Sequence, residues 1–462
     1  MRAAMTSILD MPPVILSHPA FDGTDRRALS ATSKAMQGLV MHGCTSITIS
    51  STPTDDEQLQ RTVGRLHHYC MQGLHLKRLH VERTIMEKLS SARRSHVTSL
   101  GPIRALTQLQ HLEMDGFVEV TDLEPLAGLT NLSHLSCSYL TNVTSLEPLI
   151  PLTGLSHLVC THMKGVTDLR PLSALTNLSH FDCGRMGDVT DLRPLTALSK
   201  TLSHLSCDFL SDVTDLEPLR ALSRLSHLDC NYMHKVTDLR PITALTGLSH
   251  LVCSNMKRVT QLRPITALSR LTHLECESMD GVSDLGPLTA LASLAHLNCQ
   301  FMKVTDLVPL TALASLTHLN CNYMSYVTNL RPLEALTRLS HLELRCLEEV
   351  TDLGPLRALS RLTHLSTDGM QNVSDLRPIT TLTNLLHLDC RDMRCVRHSL
   401  PVLAALTSLT RLHIHDGMFG VTKLGPLTAL TNLRLLNGHC MDASDEEDDE
   451  GEEEEEEEEE DD

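Results

Sequence analysis

Histidine and cysteine recur at a fixed spacing along most of this 462-residue chain, and both side chains can bind metals or take part in catalysis. Thirteen tetrads, Leu-x-His-Leu in twelve copies and Leu-x-His-Phe at 178–181, place a histidine about every 23 residues, at 111, 134, 157, 180, 204, 227, 250, 273, 296, 318, 341, 364 and 387. Ten cysteines stand three residues after such a histidine, at 137, 160, 183, 207, 230, 253, 276, 299, 321 and 390. Each copy therefore carries either a chemical site or a structural unit whose His and Cys have packing roles.

The unit that contains these residues is predicted to open with a short strand. Written from the first leucine it reads L-x-H-L-x-C-x-x-M-x-x-V-T-D-L-x-P-L-x-A-L-T-x, and its opening alternates inward and outward side chains. This opening resembles the leucine-rich repeat L-x-x-L-x-L-x-x-N/C, over about residues 44 to 440. The V-T-D segment is similar to the cysteine-containing class of these repeats, and D-L-x-P-L-x-x-L-T-x-L to the phosphatase-regulator and internalin class. The resemblance implies an α/β solenoid with a parallel concave sheet.

The repeat predicts a core of equal aliphatic layers, each buried only against its neighbours. One layer is predicted to contain Leu225, Leu228, Cys230, Met233, Val236, Leu239, Ile242 and Leu245. Two longer units precede the regular ones, with a helix expected over residues 55–71, and residues 433–437 are typical of a terminal half-unit. The cysteine position also holds Met114, Leu344, Thr367 and Ile414, which favours a small hydrophobic residue over a ligand or nucleophile.

The histidines are expected to form an outward row on the concave face, and three interpretations remain open. Neighbouring imidazoles about 4.8 Å apart could chelate zinc, the row could respond to pH, or it could be a scaffold position copied by duplication. Cysteine points to the opposite face and no regular third ligand accompanies the histidines. We therefore predict no metal site and no cofactor.

The net charge of -18 is concentrated at the C-terminus, where residues 442–462 contain 18 acids. The rest of the chain is formally neutral. Three parts are predicted: an N-terminal module at 1–43, the solenoid at 44–440 and a disordered acidic tail at 441–462. No apolar run is long enough for a signal segment or a membrane span, so we expect a reducing compartment, cytoplasmic or nuclear.

Residues 8–40 do not follow the repeat. They resemble an F-box in Met11-Pro12-Pro13, Val14-Ile15-Leu16 and Ala28-Leu29. The resemblance implies helices that dock a Skp1-like adaptor of a cullin ubiquitin ligase, with docking residues Leu9, Pro12, Pro13, Ile15, Leu16 and Leu29. The alternative is a helical cap that covers the first layer of the solenoid.

Partner specificity is expected at the outward positions where the copies differ. Such positions combine charge, amide and aromatic side chains, which are typical of protein interfaces. The candidate residues of the concave face are Tyr139, Asp182, Asp208, Phe209, Asp229, Asn231, Tyr232, Glu275, Glu277, Phe301, Asn322 and Tyr323. Sequence drift on an exposed surface is the alternative.

No phosphate-binding glycine loop, C-x-x-C pair or basic aromatic patch is found, so we expect neither an enzyme nor direct binding of nucleic acid or membrane. The sequence favours a protein-binding receptor, the substrate-recognition subunit of a Skp1–cullin–F-box ligase, with its protein substrate on the concave face. The alternative is a scaffold without a ligase role, or a binder of basic proteins. The latter is suggested by the acidic tail, which is similar to those of acidic nuclear histone-handling proteins.

Overall fold

A short strand opens each repeat, and neighbouring repeats place these strands side by side in one curved sheet. The computed structural model describes residues 14–16, 46–49, 56–71, 76–81, 97–393, 400–414, 425–437 and 439–440. These residues form a 19-stranded sheet in which each strand pairs with the one before it in the chain. All of these pairings are parallel except that of the last two strands. The strands are β1 Val14–Leu16, β2 Ser46–Ile49, β3 Arg78–Val81, β4 His111–Glu113, β5 His134–Ser136, β6 His157–Val159, β7 His180–Asp182, β8 His204–Ser206, β9 His227–Asp229, β10 His250–Val252, β11 His273–Glu275, β12 His296–Asn298, β13 His318–Asn320, β14 His341–Glu343, β15 His364–Ser366, β16 His387–Asp389, β17 Arg411–His413, β18 Leu435–Leu436 and β19 His439–Cys440.

Short 3-10 helices return the chain along the convex side. Proline stands at the first or second position of the helices from Gly101 to Thr381, where its missing N–H would have no partner in the helix. In several repeats an aspartate ahead of the helix caps it, as where Asp168 Oδ1 accepts the Arg170 amide at 2.9 Å. The helices are Gly101–Ala105, Glu124–Leu126, Glu147–Leu149, Arg170–Ala174, Arg193–Leu198, Glu217–Ala221, Arg240–Ala244, Arg263–Ala267, Gly286–Ala290, Val308–Ala312, Arg331–Ala335, Gly354–Ala358, Arg377–Thr381 and Gly425–Ala429.

The core is a stack of equal layers, as the repeat predicts. The eight residues proposed for the layer from Leu225 to Leu245 are all buried, with no more than 2% of their surface exposed. Strands pair in register, so that His227 lies opposite His250 and Leu228 opposite Leu251. Equivalent residues of successive repeats therefore form continuous rows along the solenoid.

The first described segment differs from the helices expected in residues 8–40. Val14–Leu16, which includes the predicted docking residues Ile15 and Leu16, is a strand that pairs in parallel with β2. Val14 and Leu16, which flank Ile15, favour an extended chain, and the edge of β2 has backbone N–H and C=O groups with which a further strand can pair. The other predicted docking residues, Leu9, Pro12, Pro13 and Leu29, lie outside the described residues.

The ends of the solenoid are covered by atypical units. Helix α1, Asp56–Met71, occupies the expected position and buries Leu59, Val63 and Leu66 against the first layers. A second α-helix, α2, spans Leu400–Leu403. The half-unit near the C-terminus supplies β18, and the acidic tail lies outside the described residues. Within the described part of the chain, neither α-helix combines the length and the apolar character that crossing a membrane requires.

Candidate binding surface

The predicted row of histidines forms a continuous stack on the concave face. From His111 to His364, neighbouring imidazole rings lie 4.0 to 4.1 Å apart between centroids, at interplanar angles of 11° to 16°. The ring spacing is shorter than the strand spacing of about 4.8 Å because side chains on the concave face of a curved sheet converge, as the interplanar angles also indicate. Twelve rings therefore share one orientation, which in-register pairing imposes on them.

A hydroxyl group beside most of these rings sets their protonation pattern. The Ser226 hydroxyl donates to the Ser203 carbonyl at 3.1 Å and lies 2.8 Å from Nδ1 of His227. A hydroxyl has one proton, so once the carbonyl has taken it the oxygen can only accept, and Nδ1 must carry a hydrogen. Nε2 then has no hydrogen, and its lone pair points away from the hydroxyl as a hydrogen-bond acceptor. The same contact occurs beside His134, His157, His180, His204, His250, His273, His318, His341 and His364.

Repeats that lack the hydroxyl show that the ring plane and the tautomer of the histidine depend on different contacts. His296 follows Ala295 and still stacks on both neighbours, at 4.1 and 4.0 Å. His387 follows Leu386 and is turned by 83° from His364, with Arg411 instead of histidine on its other side. Stacking on a neighbouring imidazole can therefore hold the ring plane without the hydroxyl, as it does at His296 and at His111, which follows Gln110, while the hydroxyl fixes the tautomer.

Neutral imidazole is the stable form of the row. Burial, with the charges of neighbouring histidines as a smaller cause, lowers the pKa of His157 and His204 to about 4. For His134 the pKa is also lowered to about 4, by burial and then by His111 and Arg78. At neutral pH the row is therefore uncharged and offers hydrogen-bond acceptors.

Parallel rings are poorly arranged for zinc. A tetrahedral ion needs lone pairs that converge on one point, whereas stacked imidazoles direct theirs side by side. Among the described residues no group of three or more His, Cys, Asp or Glu side chains could hold a metal ion. The Ser–His contacts are also unlike those of a hydrolase, because the serine proton is given to a backbone carbonyl and not to the imidazole.

The ten predicted core cysteines all lie inside the layers, with none of their surface exposed. Several thiols face the carbonyl of the next repeat, as Cys207 Sγ faces the Asp229 carbonyl at 3.3 Å. Burial raises the pKa of Cys207 and Cys230 well above the ordinary value, so these thiols remain protonated and inert. Packing explains the cysteine row.

A second outward row follows the strands and combines an unusual backbone with aromatic side chains. Residues of this row have positive φ, between 52° and 64°, a region that L-residues other than Gly, Asn and Asp rarely adopt. Glycine occupies the same position at Gly116 and Gly369, so the fold accepts the residue that would relieve the strain. The non-glycine members are Tyr139, His162, Arg185, Phe209, Tyr232, Asn255, Ser278, Phe301, Tyr323, Cys346 and Asp392.

The side chains of this second row stack in two groups. In the first, Tyr139 packs on His162, the guanidinium of Arg185 lies 3.8 Å from the ring centroid of Phe209, and Phe209 packs on Tyr232 at 4.0 Å. In the second, Phe301 packs on Tyr323 at 4.5 Å, with about two fifths of each side chain exposed. Aromatic side chains held at strained positions are typical of a binding surface.

Three predicted acids meet beside the first aromatic group. The Ser206 hydroxyl donates to Asp208 at 3.2 Å and also interacts with Asp182. A side chain at Gly184 would collide with the carboxylate of Asp208, so glycine provides the space into which this acid leans. Burial, followed by repulsion from Asp208 and Asp182, raises the pKa of Asp229 to about 6. We call Asp182, Asp208, Asp229, Phe209 and Tyr232 the central patch.

The central patch borders an open cavity of about 510 Å³, whose walls are His157, His180, His204, His227 and His250 together with Val159 and Val252. The predicted residue Asn231 adjoins the patch, because its amide donates to Asp229 Oδ1 at 3.0 Å, whereas Glu275 and Glu277 lie outside it. Glu277 accepts hydrogen bonds from Asn298 and Gln300, and burial raises the pKa of its neighbour Glu275. We call Phe301, Asn322 and Tyr323 the distal patch, and Asn322 donates to Glu343 at 2.7 Å.

Sequence reasoning missed two parts of the surface. Arg185 is one of the variable outward positions but is not among the candidate residues of the concave face, although it continues the aromatic stack. A second cavity, of about 340 Å³, lies where the histidine stack is broken and contains Arg345, Arg391 and Arg411. Two of these arginines are paired with Asp389, at 3.2 Å for Arg345 and 2.8 Å for Arg391. Both could have been recognised in the sequence, because each places an arginine at a repeat position that holds another residue type in most copies.

Replacing Ser226 by alanine tests the assignment of the tautomer. We expect a loss of about 1 kcal/mol in the free energy of unfolding, because the bond to the Ser203 carbonyl disappears while the stack survives, as at Ala295. Nitrogen-15 NMR should show His227 as the Nδ1–H form in the native protein and as a mixture of tautomers in the variant. A native spectrum with the proton on Nε2 would contradict the assignment.

Three solved structures that are similar to this chain come from bacterial proteins. Internalin InlF of Listeria monocytogenes is 26% identical over 64% of this chain and 84% of its own, with a TM-score of 0.54. The functional domain of InlJ from the same organism, which includes a cysteine ladder, is 22% identical over 72% of this chain and 74% of its own, with a TM-score of 0.52. A leucine-rich-repeat protein of Leptospira interrogans is 18% identical over 87% of this chain and 97% of its own, with a TM-score of 0.61.

No protein-family model matches the sequence, and no curated protein matches it significantly. The likeness to the solved structures concerns the path of the chain and the stacking of its layers.

Proposed function

We propose that this protein, a leucine-rich-repeat solenoid, is a non-catalytic receptor that binds another protein on its concave face. The observation that carries the proposal is the second outward row. Large aromatic side chains occupy positive-φ positions there, although glycine fits the same position twice. Each such residue carries a conformational cost of about 1 kcal/mol or more, which the fold itself does not require.

The chemistry of the face fits binding better than catalysis. The thiols are buried, the serine protons are engaged by carbonyls, and the imidazoles are neutral and parallel. What remains exposed is a mixture of aromatic, amide and carboxylate groups on a rigid sheet. Such a surface provides anchors and hydrogen bonds without a reactive group.

Glycine substitutions in the second row test this proposal with little risk to the fold. Once a partner has been identified by photo-crosslinking from position 231, Phe209→Gly and Tyr232→Gly should each weaken its affinity about tenfold or more. Arg240→Ala on the convex side is the matched control and should leave affinity unchanged. Loss of binding in the control, with full binding by both glycine variants, would place the partner elsewhere.

The ligase role is a further proposal and rests on the sequence resemblance of residues 8–40 to an F-box. In this proposal the concave face holds the substrate, and a Skp1-like adaptor docks on the N-terminal segment, so that catalysis belongs to partner subunits. The strand at Val14–Leu16 is not the helix that either an F-box or the alternative helical cap implies, and it supports a cap of a different kind, one that extends the sheet. A cytoplasmic or nuclear location belongs to the same proposal.

Pull-down with the intact chain separates the two roles of the N-terminal segment. If the segment is an F-box, the protein retrieves a Skp1-like adaptor, and Leu9→Asp and Leu29→Asp abolish this without changing the binding of the concave-face partner. An intact chain that retrieves its partner but no adaptor removes the ligase role and leaves the receptor role standing.

A further inference from the structure

We infer that the central patch binds an extended basic segment of the partner, with lysine or arginine at alternate positions. This inference rests on the proposed function, since it assumes that a protein is bound on the concave face. It differs from the interpretation based on the acidic tail, because it assigns recognition of positive charge to folded residues of the sheet.

The charge of the concave face changes along its length. From Glu113 to Phe301, the outward positions that follow the histidines carry seven acids and a single arginine, Arg185. No salt bridge found among the described residues involves Asp182, Asp208 or Asp229. Basic residues become frequent only further along, at Arg345, Arg391 and Arg411. The middle of the concave face therefore has an excess of negative charge, which a basic partner would neutralise.

The hydrogen-bonding character of the cavity also selects a donor. Ser203 and Ser226 fix the hydrogens of His204 and His227 on Nδ1, so Nε2 can only accept. The neighbouring carboxylates of Asp182 and Asp229 accept as well. Ammonium and guanidinium groups have donors and no acceptors, so they satisfy this surface without leaving an unpaired group.

The aromatic row shows how a cation is accommodated. Arg185 already places its guanidinium over the ring of Phe209, and Tyr232 continues the stack on the other side of Phe209. The next positions are Asn255 and Ser278, so the aromatic row stops at Tyr232. The contact of Arg185 with Phe209 shows that these rings accept a guanidinium, the kind of group that a basic partner segment would supply.

The spacing of the acids defines the segment. Asp182 and Asp229 end strands β7 and β9, and Asp208 lies two residues beyond the end of β8, so the three acids extend over about 10 Å along the solenoid. Alternate side chains of an extended peptide are about 7 Å apart and lie on one face. Two basic residues separated by one residue therefore cover the three carboxylates.

The geometry allows the acids to be neutralised without disturbing the sheet. Asp229 Oδ1 accepts the Asn231 amide at 3.0 Å, and Asp182 Oδ1 accepts the Gly184 amide at 3.0 Å. Asparagine retains both bonds through its own Oδ1. The triple variant Asp182→Asn, Asp208→Asn, Asp229→Asn should therefore fold and lose only its charge.

The test uses the full chain and a fluorescent peptide of about ten residues, long enough to cross the patch in extended form. The peptide carries arginine at alternate positions, and matched peptides carry glutamine or glutamate there. The triple variant should bind the arginine peptide about tenfold or more weakly than the native chain. The matched control Glu456→Gln, Glu457→Gln, Glu458→Gln removes the same charge from the tail and should change affinity less than about threefold.

A second variant separates local geometry from overall charge. Gly184→Ala displaces the carboxylate of Asp208 without altering the net charge, and should also weaken binding of the arginine peptide. Equal losses in the patch and tail variants, or equal affinity for the arginine and glutamine peptides, would overturn the inference. The receptor proposal survives that result if Phe209→Gly and Tyr232→Gly still abolish binding of the identified partner.

Discussion

Acidification from pH 7 to pH 4 should lower the melting temperature of the protein by about 5 °C. The cause is the histidine row, in which burial and neighbouring charges lower the pKa of His134, His157 and His204 to about 4 and that of the other members below 6.5. The unfolded chain takes up protons as the pH falls through 6.5, whereas the folded row does so at lower pH, with a pKa near 4 for His134, His157 and His204. Stability is therefore complete above pH 6.5 and is lost between these values.

The size of this effect follows from the number of rings and not from any one of them. One pKa unit corresponds to about 1.4 kcal/mol, but partial exposure of the rings reduces what each contributes, so a total on the order of 5 kcal/mol is expected. Asp182, Asp229, Glu275 and Asp368 act in the opposite direction, because their raised pKa values let the folded state bind a proton first. These four acids offset only part of the effect of thirteen histidines.

Thermal melts followed by circular dichroism at pH 7, 6, 5 and 4 provide the measurement. The protein with His204, His227 and His250 replaced by glutamine is the control, and its melting temperature should vary less over the same range. A melting temperature that is flat between pH 7 and pH 4 would mean that the row is already charged or fully solvated in the folded state.

Replacing Cys230 by aspartate should unfold the repeats around it, with a cost of about 5 kcal/mol or more. Cys230 is fully buried between the cysteines of the adjacent layers, and no basic side chain lies within the layer. A carboxylate at this place would either remain unpaired in an apolar stack or take up a proton at the expense of stability. Urea denaturation of the purified variant measures the loss.

Two matched variants separate charge from polarity and position. Cys230→Thr should cost about 1 to 2 kcal/mol, because Thr367 occupies the same position, is buried, and donates its hydroxyl to the Asp389 carbonyl. Asn231→Asp changes the next residue, which faces the concave surface, and should alter stability by less than about 1 kcal/mol. An aspartate at 230 that costs no more than one at 231 would show that the layer admits water.

Much of the fold follows from the repeat alone, because identical units that pair in register must place identical residues in rows. The inward position of Cys230 and the outward position of His227 come directly from the alternation of the strand. The ring planes and tautomers do not, since they depend on contacts between units. The serine or threonine before most of the histidines was the visible signal for the latter.

The candidate surface was less predictable than the core. Asp182, Asp208 and Asp229 were expected on the concave face, but their mutual approach depends on the absence of a side chain at Gly184. The positive φ of Phe209 and Tyr232 could be inferred only by comparison with Gly116 and Gly369. Val14–Leu16 was expected to be helical because local resemblance took no account of the neighbouring sheet edge, with which it pairs.

Register between the strands also makes the solenoid a molecular ruler. Acidic β7 and β9 and the arginine-containing region around β16 are held apart by a whole number of units, since His227 pairs with His250 and each later histidine with the next. Insertion or removal of one unit would change their separation by about 4.8 Å while leaving the neighbours of every layer equivalent. Duplication could therefore adjust the reach of the receptor to a longer or shorter partner without redesigning either end.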